Sequence, residues 1–185
     1  MRIVAGSLGG RVLRAPRGAT TRPTSEKVRQ ALFNLLGPPT DATHALDLFA
    51  GSGALGLEAL SRGAATVTFV ERDRTALAAL RDNLATLGVD DQAQVVPTEV
   101  GRFLGGAGPG PAWRWVFLDP PYAAGVYQAT LAALPRARLT DDCVVAVEHA
   151  HRAPPPDRVG FLLRTDLRRY GDTALSRYQL APEAP

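Results

Sequence analysis

Asp119, Pro120, Pro121 and Tyr122 bring a carboxylate, a main-chain carbonyl outside regular structure and an aromatic ring together within four residues. That set suits a planar primary amine. Asp119 can accept one amine hydrogen. The Pro120 carbonyl can accept the other, because two successive prolines keep this stretch out of helix and ladder. The Tyr122 ring can lie against the face of a base. The same tetrapeptide also suits a rigid strand-to-helix turn with a capping aspartate, since turns favour these residue types.

A second constellation lies upstream. Gly51-Ser-Gly53-Ala-Leu-Gly56 has the G-x-G-x-x-G spacing, set between the apolar Ala45-Leu-Asp47-Leu-Phe49 and a helical stretch ending at Gly63. Glycines there let the backbone turn sharply and approach a ligand, with a helix N-terminus facing it. Glu71 follows Gly51 by 20 residues, at the end of the next predicted strand. A carboxylate at that point can take both ribose hydroxyls of a nucleoside. Glycines alone mean only a tight turn, but with Glu71 in register they predict nucleoside binding.

NAD uses the same fingerprint, and Asp47 argues against it. This residue stands inside the strand, four residues before Gly51, where a dinucleotide site usually carries an apolar side chain. A carboxylate there repels a pyrophosphate and favours an amino-bearing sulfonium cofactor, S-adenosylmethionine. Glu99, just past a third strand, is placed to meet an adenine edge. A helix N-terminal acid that serves stability is the equal alternative.

Such residues need a scaffold that gathers strand ends. Strands at Ala45–Phe49, Thr66–Val70, Gln94–Pro97, Trp115–Leu118 and Cys143–Glu148 alternate with helices, the signature of an α/β fold. Asp73 caps one helix, whose Leu77, Leu80, Leu84 and Leu87 face the core before Gly88 ends it. Another helix runs roughly from Gly125 to Leu134. In open α/β sheets ligands sit at the carboxyl edge, from which both Asp119 and Gly51 emerge. Gly105–Pro111 is expected to be a flexible surface loop, and Ala153–Pro156 a linker-like turn. Phe161–Tyr170 and Leu175–Leu180 close the chain as an antiparallel hairpin around Gly171-Asp-Thr173.

Ahead of this domain, Ile3–Ala5 and Val12–Arg14 flank glycine-rich Gly6–Gly10, predicting a β-hairpin. A helix follows from Ser25 to Leu36, with Val28, Ala31, Leu32 and Leu35 inward and Lys27 and Arg29 pointing elsewhere. The expected division is 1–37 as a basic extension and 38–185 as the main domain. Residues 1–37 carry Arg2, Arg11, Arg14, Arg17, Arg22, Lys27 and Arg29 against one acid, Glu26, a net +6 within a chain of net +3. That asymmetry is the footprint of a polyanion partner. Arginine-rich composition is the plainer explanation, yet it does not account for the scarcity of acids in this segment.

At 185 residues, 45% hydrophobic and 21% charged, the sequence suits one soluble domain with a sizeable core. No apolar run approaches membrane-spanning length, no signal-peptide core is present, and a cytoplasmic protein is expected. The single cysteine, Cys143, excludes an intrachain disulfide and is expected to be buried and inert. With only three histidines it argues against a structural zinc site.

Taken together, several stretches resemble the RsmD-type guanine-N2 methyltransferases of bacterial small-subunit ribosomal RNA. They are Arg2-Ile-Val-Ala-Gly-Ser7, Arg22-Pro-Thr-Ser-Glu-Lys-Val-Arg-Gln-Ala-Leu-Phe-Asn34, Leu46-Asp-Leu-Phe-Ala-Gly-Ser-Gly53, Asp119-Pro-Pro-Tyr122 and Tyr170-Gly-Asp-Thr173. The resemblance implies a class I methyltransferase fold, a Rossmann-like seven-stranded sheet whose last strand is antiparallel. It implies S-adenosylmethionine held by Asp47, Gly51, Gly53, Glu71 and Glu99, although aspartate is more usual at the last position. It implies a target guanine in 16S rRNA within an assembling small subunit, with Asp119, Pro120 and Tyr122 acting on it, and no metal. Arg11, Arg14 and Arg17 are expected on the RNA, and Arg22 and Thr24 lie near the site by analogy. A monomer is expected. Asp-Pro-Pro-Tyr is shared with adenine-N6 and other amino methyltransferases of DNA or RNA, which remain the alternative.

Overall fold

Apolar runs flanked by glycine, proline and aspartate build the centre of the molecule, and the computed structural model describes residues 1–16, 25–120 and 125–182. Five parallel strands form first: β1 (His44–Leu48), β2 (Thr66–Glu71), β3 (Ala93–Pro97), β4 (Trp113–Leu118) and β5 (Leu139–Ala150). Helices α2 (Ala54–Ser61), α3 (Arg74–Leu87), α4 (Val100–Gly105) and α5 (Val126–Ala133) connect them, and α1 (Glu26–Leu36) precedes β1. β6 (Arg158–Val159), β7 (Leu162–Tyr170) and β8 (Thr173–Leu180) complete a sheet of order β3-β2-β1-β4-β5-β8-β7-β6. β8 runs antiparallel between β5 and β7.

The sheet therefore has eight strands where seven were expected. The addition is β6, two residues paired antiparallel to Leu162 and Leu163. A two-residue strand has no periodicity to detect.

Central strands buried on both faces appear in sequence as continuous hydrophobic stretches. β4 shows why. Trp115 and Phe117 enter the core on the α1–α2 side, and Val116 and Leu118 enter the one on the α5 side. Gly56 lies where α2 crosses β2, and a Cβ there would fall 2.2 Å from Phe69 Cε1 and 2.8 Å from Val67 Cγ1. The third glycine of the motif is thus a packing residue. Gly56→Ala should cost about 1–3 kcal/mol by overpacking, measured as a lower urea midpoint with unchanged slope.

The N-terminal unit enters the same core. Ile3, Leu13, Val28, Leu32, Phe33, Leu35 and Leu36 are buried with Leu57, Leu60, Trp115 and Phe117. The Phe33 ring meets Trp115 edge-on at 5.9 Å. Its hairpin is minimal, with one bridge, Arg2 to Val12, flanked by Ile3 N–H to the Arg11 carbonyl at 2.9 Å. Ser25 caps α1, its Oγ accepting the Val28 N–H at 3.2 Å.

Arg29 does not point away from the core as expected. It is 0% exposed and pairs with buried Glu58 of α2 at 3.4 Å. Glu58 also accepts the Val4 N–H at 2.7 Å, the Ala5 N–H at 3.0 Å and Arg62 Nε at 2.8 Å. One carboxylate thereby fastens hairpin and helix to the sheet domain. The 105–111 loop is also held, for Arg138 donates to the Gly108 and Pro111 carbonyls and stacks on Trp113 at 4.1 Å.

Candidate functional site

β1 has β2 on one side and β4 on the other, and the chain winds outward in opposite directions from there. Loops leaving neighbouring strands at such a point open a crevice. Register fixes its walls, since Leu48 lies beside both Val70 and Leu118. The glycine loop, Glu71 and Asp119 therefore emerge side by side.

The loop is held open by its own hydrogen bonds. The Ala50 N–H reaches the Val70 carbonyl at 3.0 Å, and the Gly53 N–H reaches the Ala50 carbonyl at 2.7 Å. Phe49 has φ 62°, a conformation that a bulky side chain adopts only under constraint from its surroundings. Gly51 also has positive φ, and a Cβ there would meet nothing closer than the Phe49 carbonyl at 4.0 Å. That side of the loop is open to a ligand. At Gly53, which begins α2 with φ 83°, a Cβ would fall 2.4 Å from Leu80 Cδ1.

Glu71 organises the other wall. Its Oε2 accepts the Gly51 N–H at 2.8 Å, while Oε1 accepts the N–H groups of Arg72 and Asp73 at 2.7 and 2.8 Å. Only partly buried, it has lone pairs left over for a diol. Glu99 is exposed at the N-cap of α4 and makes no side-chain capping hydrogen bond, which leaves it the charge–dipole role of a helix N-terminal acid.

Asp47 is 1% exposed, and its Oδ2 accepts the Gly56 N–H at 2.8 Å. It meets the site through its hold on α2, not as an exposed ligand. Burial, opposed by the Gly56 bond and reinforced by the charges of Asp119 and Glu71, pushes its carboxyl up to about 8 from 3.8. The folded protein thus keeps this proton where an unfolded aspartate has lost it. Stability falls as pH rises from about 4 to about 8 and is flat above. Asp47→Asn keeps an acceptor for Gly56 and removes that decline. With the α2 N-terminus offsetting part of the effect, its advantage over wild type should grow to on the order of 2 kcal/mol by pH 8. Melting temperatures of both proteins from pH 5 to pH 9 test this, and parallel curves would refute it.

Asp119 ends β4, partly exposed, with buried Pro120 next. Tyr122 lies outside the described residues, as do Arg17, Arg22 and Thr24. Arg11 is exposed, and exposed Arg14 pairs with Asp82 at 2.9 Å. A hollow of about 360 Å³ lies along the same sheet edge, lined by Ala150, His151, Arg152 and Asp172. A larger one, about 570 Å³ and lined partly by Asn34, Pro38 and Trp115, lies toward the strands' amino ends, away from this chemistry. Among the described residues no group of His, Cys, Asp and Glu is gathered to hold a metal ion. Likewise, no helix among them is long and apolar enough to cross a membrane. Cys143 is buried in β5, and burial pushes its thiol up to about 12.

Residues 1–179 match the family described as conserved hypothetical protein 95. The chain belongs to the RsmD family. It is 40% identical over 181 residues to Bacillus subtilis YlbH, named as a candidate rRNA methyltransferase, covering 97% of this chain and 98% of that one. Against Escherichia coli ribosomal RNA small subunit methyltransferase D it is 43% identical over 149 residues, covering 80% of this chain and 74% of that one. Its structure superposes on that of Escherichia coli yhhF, named as a candidate methyltransferase, with a TM-score of 0.82, 38% identity and 97% coverage of both chains. The architecture is that of class I methyltransferases.

Two features next to the glycine loop are not apparent from the residues the sequence singles out. The backbone angle of Phe49 leaves no trace in residue type. Asn83 did leave one, a polar residue between Leu80 and Leu84 on the buried face of α3.

Proposed function

We propose that this protein transfers a methyl group from S-adenosylmethionine to the exocyclic N2 of a guanine in 16S ribosomal RNA, within an assembling small subunit. The observation that carries this reading is the emergence of Asp119-Pro120 from β4 beside the glycine loop and Glu71. The residues suit the cofactor. Gly51 leaves space for it, Glu71 can take its ribose hydroxyls, and the carboxylates of Glu71 and Asp119 favour a cationic ligand. When bound, the cofactor would supply a methyl carbon on a sulfonium, so that a nitrogen lone pair bonding to that carbon breaks its bond to sulfur and releases a neutral thioether.

The chain's task is to prepare that nitrogen. Guanine N2 is a weak nucleophile because its lone pair is delocalised into the ring. Asp119 and the Pro120 carbonyl accept its two hydrogens, orient the remaining density toward the methyl and stabilise the positive charge that develops. Tyr122 stacks on the base. After transfer the charged amine loses one proton to water. The base must leave its stack to enter the crevice. Arg11, Arg14, Arg17 and Arg22 engage RNA phosphates, and the surface pair of Arg14 with Asp82 costs little to exchange for one. We place the protein in the cytoplasm, as a monomer.

The direct test is incubation with unmethylated small subunits, digestion of the RNA to nucleosides and identification of the product by mass. N2-methylguanosine is expected. N6-methyladenosine would move the protein to the adenine-modifying class. Glu71→Ala should weaken cofactor affinity about ten- to a hundredfold, because a hydrogen bond to a charged group contributes roughly 1.5–3 kcal/mol. Wild-type affinity in that variant, measured by calorimetry, would remove Glu71 from the site.

A further inference from the structure

Asn83 lies on the buried face of α3 and is 2% exposed. Its Oδ1 accepts the Arg14 N–H at 2.8 Å. Its Nδ2 donates to the Arg14 carbonyl at 3.0 Å and to the Ser52 carbonyl at 2.9 Å. One side-chain amide thus joins two segments far apart in sequence. Ser52 is the middle residue of the glycine loop, while Arg14 closely follows the bridged hairpin strand that carries Arg11.

The geometry makes this joint stiff. Both hydrogens of one planar nitrogen are committed, one to each segment, so the amide cannot follow either segment without straining its bond to the other. Asn83 sits on a helix that is itself fixed, with Asp73 capping its start and Leu77, Leu80 and Leu84 buried. The loop is therefore clamped twice. Glu71 holds it at Gly51, on the side open to the cofactor, and Asn83 holds it at Ser52, on the side of the extension.

We propose that Asn83 is a positioning residue that transmits cofactor occupancy of the glycine loop to the Arg11–Arg14 segment, so that the loaded protein holds its RNA-facing arginines more rigidly than the empty one. This rests on the reading of Gly51–Gly53 as the cofactor loop. Fixing the loop fixes the Ser52 carbonyl, and through the shared nitrogen it fixes Arg14. A purely structural Asn83 would protect Arg14 to the same degree with or without cofactor.

Amide hydrogen exchange on the full chain, with and without saturating S-adenosylhomocysteine, separates the two. In the wild type, ligand should slow exchange of the Arg14 amide by about fivefold or more, since local opening there must now break a rigid joint. In Asn83→Ala the slowing should shrink to under about twofold, while calorimetry shows ligand affinity within about threefold of wild type. Ligand binding with no change at Arg14 in the wild type overturns this inference and leaves the cofactor reading intact. Equal slowing in Asn83→Ala shows that the coupling does not pass through Asn83. Absence of ligand binding to the wild type overturns both readings. If Asn83→Ala does not fold, Asn83→Asp takes its place, keeping an acceptor for the Arg14 N–H and losing the donor to the Ser52 carbonyl, and the same reduced slowing is expected.

Discussion

Glu58→Ala should destabilise the fold by about 3–5 kcal/mol, the cost typical of breaking a buried ion pair from one side. Glu58 and Arg29 are both fully buried. Removing the carboxylate leaves the guanidinium without its counter-charge and strips the acceptors from the Val4 and Ala5 N–H groups. Neither loss can be repaired by water without opening the core around Leu32 and Leu57. Glu58→Gln keeps one acceptor oxygen for those amides and should cost less. Removing the whole pair with Arg29→Met and Glu58→Met should cost less than the sum of the single changes. A buried pair exchanged for apolar side chains is close to neutral, and the remaining deficit belongs to the two amides. Urea denaturation of the set provides the cycle. A loss under about 0.5 kcal/mol in Glu58→Ala, the range of ordinary surface substitutions, would show that the extension does not depend on this anchor.

The basic extension also shows where sequence reasoning reached its limit. The apolar stripe through Val28, Ala31, Leu32 and Leu35 does face the core, but taken alone it leaves Arg29 pointing elsewhere. Yet Arg29, Leu32, Phe33 and Leu36 form an equally regular i, i+3, i+4, i+7 series, and all four are buried, while Ala31 is only partly so. The buried partner that makes this possible, Glu58, lies 29 residues further on, and no local pattern announces it. The net charge of the segment was real, but part of it is spent inside the protein. Arg29 is neutralised by buried Glu58, whereas the pair of Arg2 with Glu26 at 3.1 Å lies at the surface and is already counted in the net +6.

The centre of the fold was legible for a different reason. Residues 115–118 of β4 and 143–147 of β5 are buried on both faces and survive as uninterrupted apolar runs. Asp47 is the one break in the buried part of β1, and threonines alternate with apolar residues in β2. The order of strands and the handedness of crossovers then follow from general rules, and these bring the loops after β1 and β4 together. Spacing placed the glycine loop and Glu71 correctly at one edge. It could not distinguish a carboxylate that faces the ligand from one that holds the scaffold. The sequence places Asp47 toward the amine end of a cofactor, and the structure buries it with Oδ2 on the Gly56 N–H. Both arrangements place an acid at the same sequence distance from Gly51.

Asp119→Ala should lower kcat by about 10²–10³, the loss typical of one electrostatic partner aimed at developing charge. The carboxylate stands at the end of β4, where the register with Leu48 sets it beside the glycine loop, and its charge is felt at Asp47. In the proposed mechanism it acts on the amine as the methyl arrives and nitrogen becomes positive, so the substitution should act on the transition state far more than on the ground state. Cofactor affinity should change little, because the proposed mechanism places Asp119 on the base and Glu71 on the ribose. Asp119→Asn keeps an acceptor oxygen of similar reach and loses only the charge, so it should retain more activity than alanine if the amide turns its oxygen to the amine. Asp119 need not take the proton, since the methylated amine is acidic enough to release it to water. Single-turnover kinetics on the three proteins, at saturating cofactor, separates chemistry from product release. Near wild-type rates for Asp119→Ala, or a methyl found on a ring nitrogen or a ribose oxygen, would overturn this mechanism.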